Sequence, residues 1–138
     1  MKGIIVLFGR GNMGKTGAIL ELTKLLGVDR PGTTEVIEFN GNVVFTAKNG
    51  DGLSDIEYYC DEFESLSAEP DFIVCTTRSE GLPITAINYF IEKHRNKDTT
   101  IVWIPMHRFY KEEITSQELN EKNKQIANYI LDILNKIK

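Results

Sequence analysis

Glycine at positions 9, 11 and 14, followed by Lys15 and Thr16, is the feature that leaves this chain the fewest folds. The segment Gly9-Arg10-Gly11-Asn12-Met13-Gly14-Lys15-Thr16 is preceded by residues 2–8 (KGIIVLF), a β-branched and apolar run of the kind buried on both faces of a parallel sheet. It is followed by Ala18, Ile19, Leu22, Leu25 and Leu26 at helical spacing, with Glu21 and Lys24 on the other side. The order is therefore strand, glycine turn, helix. Gly27 is placed to stop that helix.

The spacing GxxxxGK[ST], set between a strand and a helix, suits the binding of a polyphosphate. Inward-pointing main-chain N–H groups and the positive end of the following helix dipole meet concentrated negative charge. Glycines let the main chain come close and adopt positive φ. Lys15 is expected to bridge the β- and γ-phosphates, and Thr16 to offer its hydroxyl to Mg²⁺. The nucleotide-binding set is thus Gly9, Arg10, Gly11, Asn12, Met13, Gly14, Lys15, Thr16 and Gly17.

From residue 2 to residue 27 the chain resembles the P-loop NTPase superfamily. The resemblance implies a three-layer α/β fold, bound ATP or GTP with Mg²⁺, and a second, metal-holding carboxylate at the end of a hydrophobic strand. Here the sequence departs from the family, because neither later strand ends in that Asp. Residues 43–46 (VVFT) lead into Ala47-Lys48-Asn49-Gly50-Asp51, and residues 72–75 (FIVC) into Thr76-Thr77-Arg78. Asp51 is the better metal carboxylate, since a loop just past a strand's C-terminal end reaches the crevice where such sheets bind ligands. Asp55, one turn into the next helix, is the reserve. A plain Gly-Asp-Gly turn explains Asp51 equally well.

Arg78, on the same expected sheet edge as Lys15, would neutralise γ-phosphate charge or hold an anionic substrate, although an exposed loop arginine is the alternative. Lys15, Asp51 and Arg78 form the expected catalytic set. His107 and Arg108 follow the last core strand at that edge and would flank base or substrate. Asn96-Lys97-Asp98-Thr99 is not a guanine reader, because its Asp falls one position early and the segment precedes a strand. ATP is the default base, held by apolar contacts, with GTP as the alternative.

Beyond the loop, residues 35–46 (EVIEFNGNVVFT) flank Asn40-Gly41 with two β-rich runs, which predicts a hairpin. Residues 48–52 (KNGDG) form a loop, and residues 53–66 a helix with Ile56, Tyr59, Cys60 and Phe63 on one stripe. A buried strand (residues 71–76), a helix (residues 83–94, Pro83 in its first turn) and a further strand (residues 99–105) follow. Residues 116–137 close the chain as a long helix with Leu119, Ile126, Ile130, Ile133 and Ile137 on one seam. Alternating strands and helices predict an α/β fold: a mainly parallel sheet of about five strands, one hairpin, and flanking helices. At 138 residues the chain suits a single nucleotide-binding domain, 1–138.

A net charge of −4 argues against nonspecific wrapping of nucleic acid, which needs many cations facing phosphates. The apolar run at residues 3–8 is far below the roughly 20 residues of a membrane span, and glycines follow it in place of a cleavage site. It is expected to be a buried strand, and the protein cytoplasmic. Cys60 and Cys75 lack partners at ligand spacing and are expected as buried thiols. His94 and His107 form no zinc pattern.

Three activities follow: a compact NTP hydrolase with Asp51 or Asp55 on the metal, a small-molecule or nucleotide kinase with Arg78 and Arg108 holding the acceptor, and a nucleotide sensor with little turnover. The final helix is expected to cover a sheet face, with a homodimer through it as the alternative.

Overall fold

A computed structural model describes residues 1–10, 14–106 and 115–137. Among them the chain runs β1 (Gly3–Phe8), α1 (Lys15–Leu25), β2 (Thr34–Phe39), β3 (Asn42–Ala47), α2 (Leu53–Glu64), β4 (Phe72–Thr77), α3 (Leu82–His94), β5 (Thr100–Pro105) and α4 (Ser116–Lys136). The five strands form one sheet in the order β2-β3-β4-β1-β5. β1 pairs in parallel with β4 and β5, β3 pairs in parallel with β4, and β2 alone runs antiparallel, against β3. The fold is therefore α/β with a mixed, mostly parallel sheet and four helices.

Successive side chains of a strand point to opposite faces, and β1 uses both. Ile5 and Leu7 pack in one core cluster with Ala18, Ile19 and Leu22 of α1 and Ala127, Ile130 and Leu134 of α4. Ile4 and Val6 pack in the other with Ile56, Tyr59 and Phe63 of α2 and Ile87, Phe90 and Ile91 of α3. One helix pair covers each face, which is why β1 and β4 read as unbroken apolar runs.

Local chemistry sets the turns. Asn40 (φ 50°) and Gly41 (φ 80°) both take positive φ, the backbone a two-residue hairpin needs to match strand twist. α1 ends as expected at Gly27 (φ 97°): its N–H donates to Lys24 O (3.0 Å) and the Val28 N–H to Thr23 O (2.8 Å), so two terminal carbonyls are satisfied. Leu25, placed on the apolar stripe from its spacing, is half-exposed at the last turn of the helix.

Two further departures concern the C-terminal part. β5 is an edge strand and not a core strand, with Thr100, Trp103 and Pro105 exposed and β1 as its neighbour. α4 buries Asn123, Ala127, Ile130 and Leu134, while Ile126, Ile133 and Ile137 of the expected seam lie on its flank. No helix among the described residues is long and apolar enough to cross a membrane.

Candidate functional site

The C-terminal ends of β1, β3 and β4 lie at one edge of the sheet, and the residues that follow them converge there. β1 runs into Gly9, whose N–H donates to Thr77 O at the end of β4 (3.3 Å). Gly14 caps α1 at φ 82°, a backbone that glycine adopts without strain. Gly11, Asn12 and Met13 lie outside the described residues, as do His107 and Arg108.

Lys15 opens α1 and is buried, with 4% of its side chain exposed. Its ammonium donates to Gly9 O (2.7 Å) and Arg10 O (3.2 Å) and pairs with Asp51 Oδ1 (2.7 Å). Three donors meet three oxygens, which is how a buried ammonium is accommodated. Asp51 differs from its partner in being 51% exposed, so it stands where solvent and protein meet.

The strand order makes that pairing demanding. β4 lies between β3 and β1, so the loop leaving β3 must cross the end of β4 before Asp51 reaches Lys15. Gly50 is buried at the crossing, and a Cβ there would overlap the backbone carbonyl of Thr76. The missing side chain lets the loop lie flat on β4. The same carbonyl accepts a hydrogen bond from the Tyr59 hydroxyl (3.0 Å), whose phenol is pushed well above its ordinary value by burial and stays protonated as a donor.

The carbonyl of Lys48 fixes the loop from the other side. It accepts from the Thr16 hydroxyl (3.0 Å) and from the Thr76 hydroxyl (3.1 Å), tying α1, β4 and the loop together. Asn49 Oδ1 lies 3.5 Å from the same Thr16 oxygen. The edge therefore presents a hydroxyl, a half-exposed carboxylate and a buried ammonium.

Not every residue expected here joins the cluster. Asp55 turns back on its own helix, where Oδ2 accepts from the Gly52 N–H (3.1 Å) and supports the start of α2. Arg78 follows β4 directly at this edge and is exposed. Among the described residues no group of three or more His, Cys, Asp or Glu side chains is arranged to hold a metal ion. Cys75 is buried, with its thiol pushed up to about 12 chiefly by desolvation, whereas Cys60 is only partly buried on α2.

Sequence reasoning missed three contributors. Asn49 and Gly50 were legible only as turn residues, since nothing local says which strand end the turn crosses. Asn123 of α4 is 5% exposed, and its Oδ1 has no hydrogen-bond partner among the described residues. It presses on the start of α1: a Cβ at Gly14 would lie 2.9 Å from that oxygen, and one at Gly17 would overlap the Asn123 amide. The signal for it was a polar residue at the spacing 123, 127, 130, 134, in phase with an apolar stripe.

Comparisons with protein-family models, with curated proteins and with solved structures return no match.

Proposed function

We propose that this chain binds a nucleoside triphosphate, ATP or GTP, together with Mg²⁺ at the start of α1, and hydrolyses it. The observation that carries the reading is Lys15, a buried ammonium held at a helix N-terminus by two backbone carbonyls and one carboxylate. The carbonyls are part of the chain's fixed course, but Asp51 is half-exposed and exchangeable. A phosphate oxygen taking its position would keep the ammonium satisfied and add the pull of the helix dipole and of the loop amides.

The layers agree with a P-loop NTPase-like, three-layer arrangement: a mainly parallel sheet, helices on both faces, and the glycine loop leaving β1 between β4 and β5. The donors at the edge also suit the cofactor. Thr16 and Asp51 are hard oxygen ligands of the kind Mg²⁺ prefers, and they would hold it with the phosphates supplying further oxygens. When bound, that ion neutralises phosphate charge. Lys15 would then balance charge on the β- and γ-phosphates, and Arg78 would approach the γ-phosphate from the exposed rim.

A second reading, a nucleotide sensor with little turnover, is favoured by the Asp51 contact itself, because the carboxylate is engaged by the Lys15 ammonium and would have to leave it to hold a metal ion. Titration of labelled ATP and GTP, with and without Mg²⁺, tests binding on the wild type and on Lys15→Ala. Equal affinity in the two proteins defeats the proposal. Phosphate release from Mg-ATP by the wild type, abolished in Lys15→Ala, supports hydrolysis; binding without release selects the sensor.

A further inference from the structure

The two helix pairs differ in how closely they meet. α1 and α4 are in extensive contact, with the Asn123 amide seated against Gly14 and Gly17, whereas α2 and α3 touch far less. Between α2 and α3 runs a furrow of about 510 Å³ that begins beside Leu53 and Leu82 and ends at Glu64 and Lys93. Its floor is apolar, formed by Ile56, Cys60 and Phe90. On its α3 side Leu82 is 65% and Tyr89 74% exposed, so large apolar groups face solvent beside an open apolar trough.

The charge along the furrow has one dominant sign. α2 carries Asp55, Glu57, Asp61, Glu62 and Glu64 and no Lys or Arg. Glu57, Asp61 and Glu64 line the furrow. At the far end Glu64 accepts from Lys93 (3.0 Å) and lies 3.1 Å from His94 Nε2. Glu57 and Asp61 stand along the middle, beside the apolar floor.

We infer that the furrow between α2 and α3 is a docking site for a basic amphipathic helix of a partner protein. The apolar floor takes an i, i+3, i+4, i+7 stripe, and Lys or Arg on the flank of that stripe meets Glu57 and Asp61. The Cys60 thiol supports the sign of the field: it is pushed up to about 12 by burial first and then by Glu64 and Asp61, with Lys93 offsetting only part. An anionic surface is the wrong occupant for such a rim. A two-fold pairing of two copies through this furrow would set each acidic rim against its own image, which is repulsive.

The site is distinct from the phosphate-binding reading and stands without it. The test is a display library of helical peptides about 16 residues long, with a fixed leucine stripe and randomised flanking positions, selected on the whole protein. Lys and Arg are expected to enrich at the flanks, and the best peptide to lose about tenfold or more in affinity on Asp61→Lys or Glu57→Lys. Recovery of no peptide, or flanks without Lys or Arg, overturns the inference. Concentration-dependent dimerisation abolished by Tyr89→Glu also overturns it and assigns the furrow to a second copy. Circular dichroism of each variant separates lost docking from lost folding, and Tyr89→Ala, which removes apolar area without adding charge, gives a second route to the same answer.

Discussion

The ammonium of Lys15 and the carboxylate of Asp51 stand 2.7 Å apart although β1 and β3, the strands that precede them, are not neighbours. One partner is almost wholly buried and the other half-exposed, so the two are not equivalent. Lys15 is held by main-chain oxygens whatever Asp51 does, while Asp51 keeps enough contact with water to leave at modest cost. On the proposed reading, a polyphosphate that reaches the Lys15 ammonium would displace this carboxylate.

Replacing Asp51 by Asn should therefore have opposite effects with and without metal. In EDTA, affinity for labelled ATP should rise about 3- to 10-fold, because an anionic competitor has been removed. With Mg²⁺ present that gain should vanish, because a metal-holding carboxylate is gone too. Fluorescence anisotropy reads both, and unchanged affinity in EDTA would show that Asp51 does not guard the site.

Lys15→Ala is expected to weaken ATP binding by about 100-fold or more, as loss of a buried charge-assisted contact implies. The same change leaves Gly9 O and Arg10 O without their donor, so the folded state should lose about 1–3 kcal/mol in urea denaturation. Full stability in the variant would mean that these carbonyls find other donors.

Gly50→Ala should destabilise the protein by about 2–4 kcal/mol, since the new methyl group meets the Thr76 backbone and not a side chain that can swing away. Tyr59→Phe, which removes one hydrogen bond to the same carbonyl, should cost about 1 kcal/mol. Thermal or urea midpoints rank the two, and the reverse order would disprove the crossing.

Gly17 and Asn123 should be coupled. Gly17→Ala alone is expected to cost about 1–3 kcal/mol through overpacking against the Asn123 amide, and Asn123→Ala alone little, because it removes an oxygen that has no partner among the described residues. The double variant should be more stable than Gly17→Ala. Strict additivity in the double-mutant cycle would deny the contact.

Alkali should erode stability before acid chemistry matters to the two thiols. Cys60 and Cys75 are both pushed up to about 12, whereas in the unfolded chain they ionise near the ordinary thiol value. The unfolded state then binds fewer protons, so stability is full below about pH 9 and falls as pH climbs toward about 12. Tyr59, also raised, adds to the same trend. Urea midpoints across that range should decline, and Cys75→Ala should flatten the decline; a flat profile in the wild type would contradict the burial of these groups.

Much of this architecture could be read from residue order. The β-branched run before Gly9, the Asn40-Gly41 turn and the stripe Ile56, Tyr59, Phe63 each carry a local periodicity or turn chemistry that tertiary contacts did not override. Asp51 is legible from its place after a strand, but its partner is not, since that depends on β4 inserting between β3 and β1. Asp55 reads as a ligand in the sequence because charge and position alone do not separate a metal carboxylate from one that caps its own helix; only the Gly52 contact does. Asn123 is not legible in the sequence because apolar spacing on α4 points to its isoleucines, while close helix approach at Gly14 and Gly17 rewards a small polar group.

The position of β1 has a consequence for how the molecule comes into being. Its two hydrogen-bonded neighbours are residues 72–77 and 100–105, so the turn that follows it gains both walls only after most of the polypeptide has left the ribosome. Such distant pairings are slow to form. A nascent chain that stops short of β5 would carry the whole glycine segment while β1 still lacks its second neighbour, so on the proposed reading ligand capture should begin only with the last strand in register.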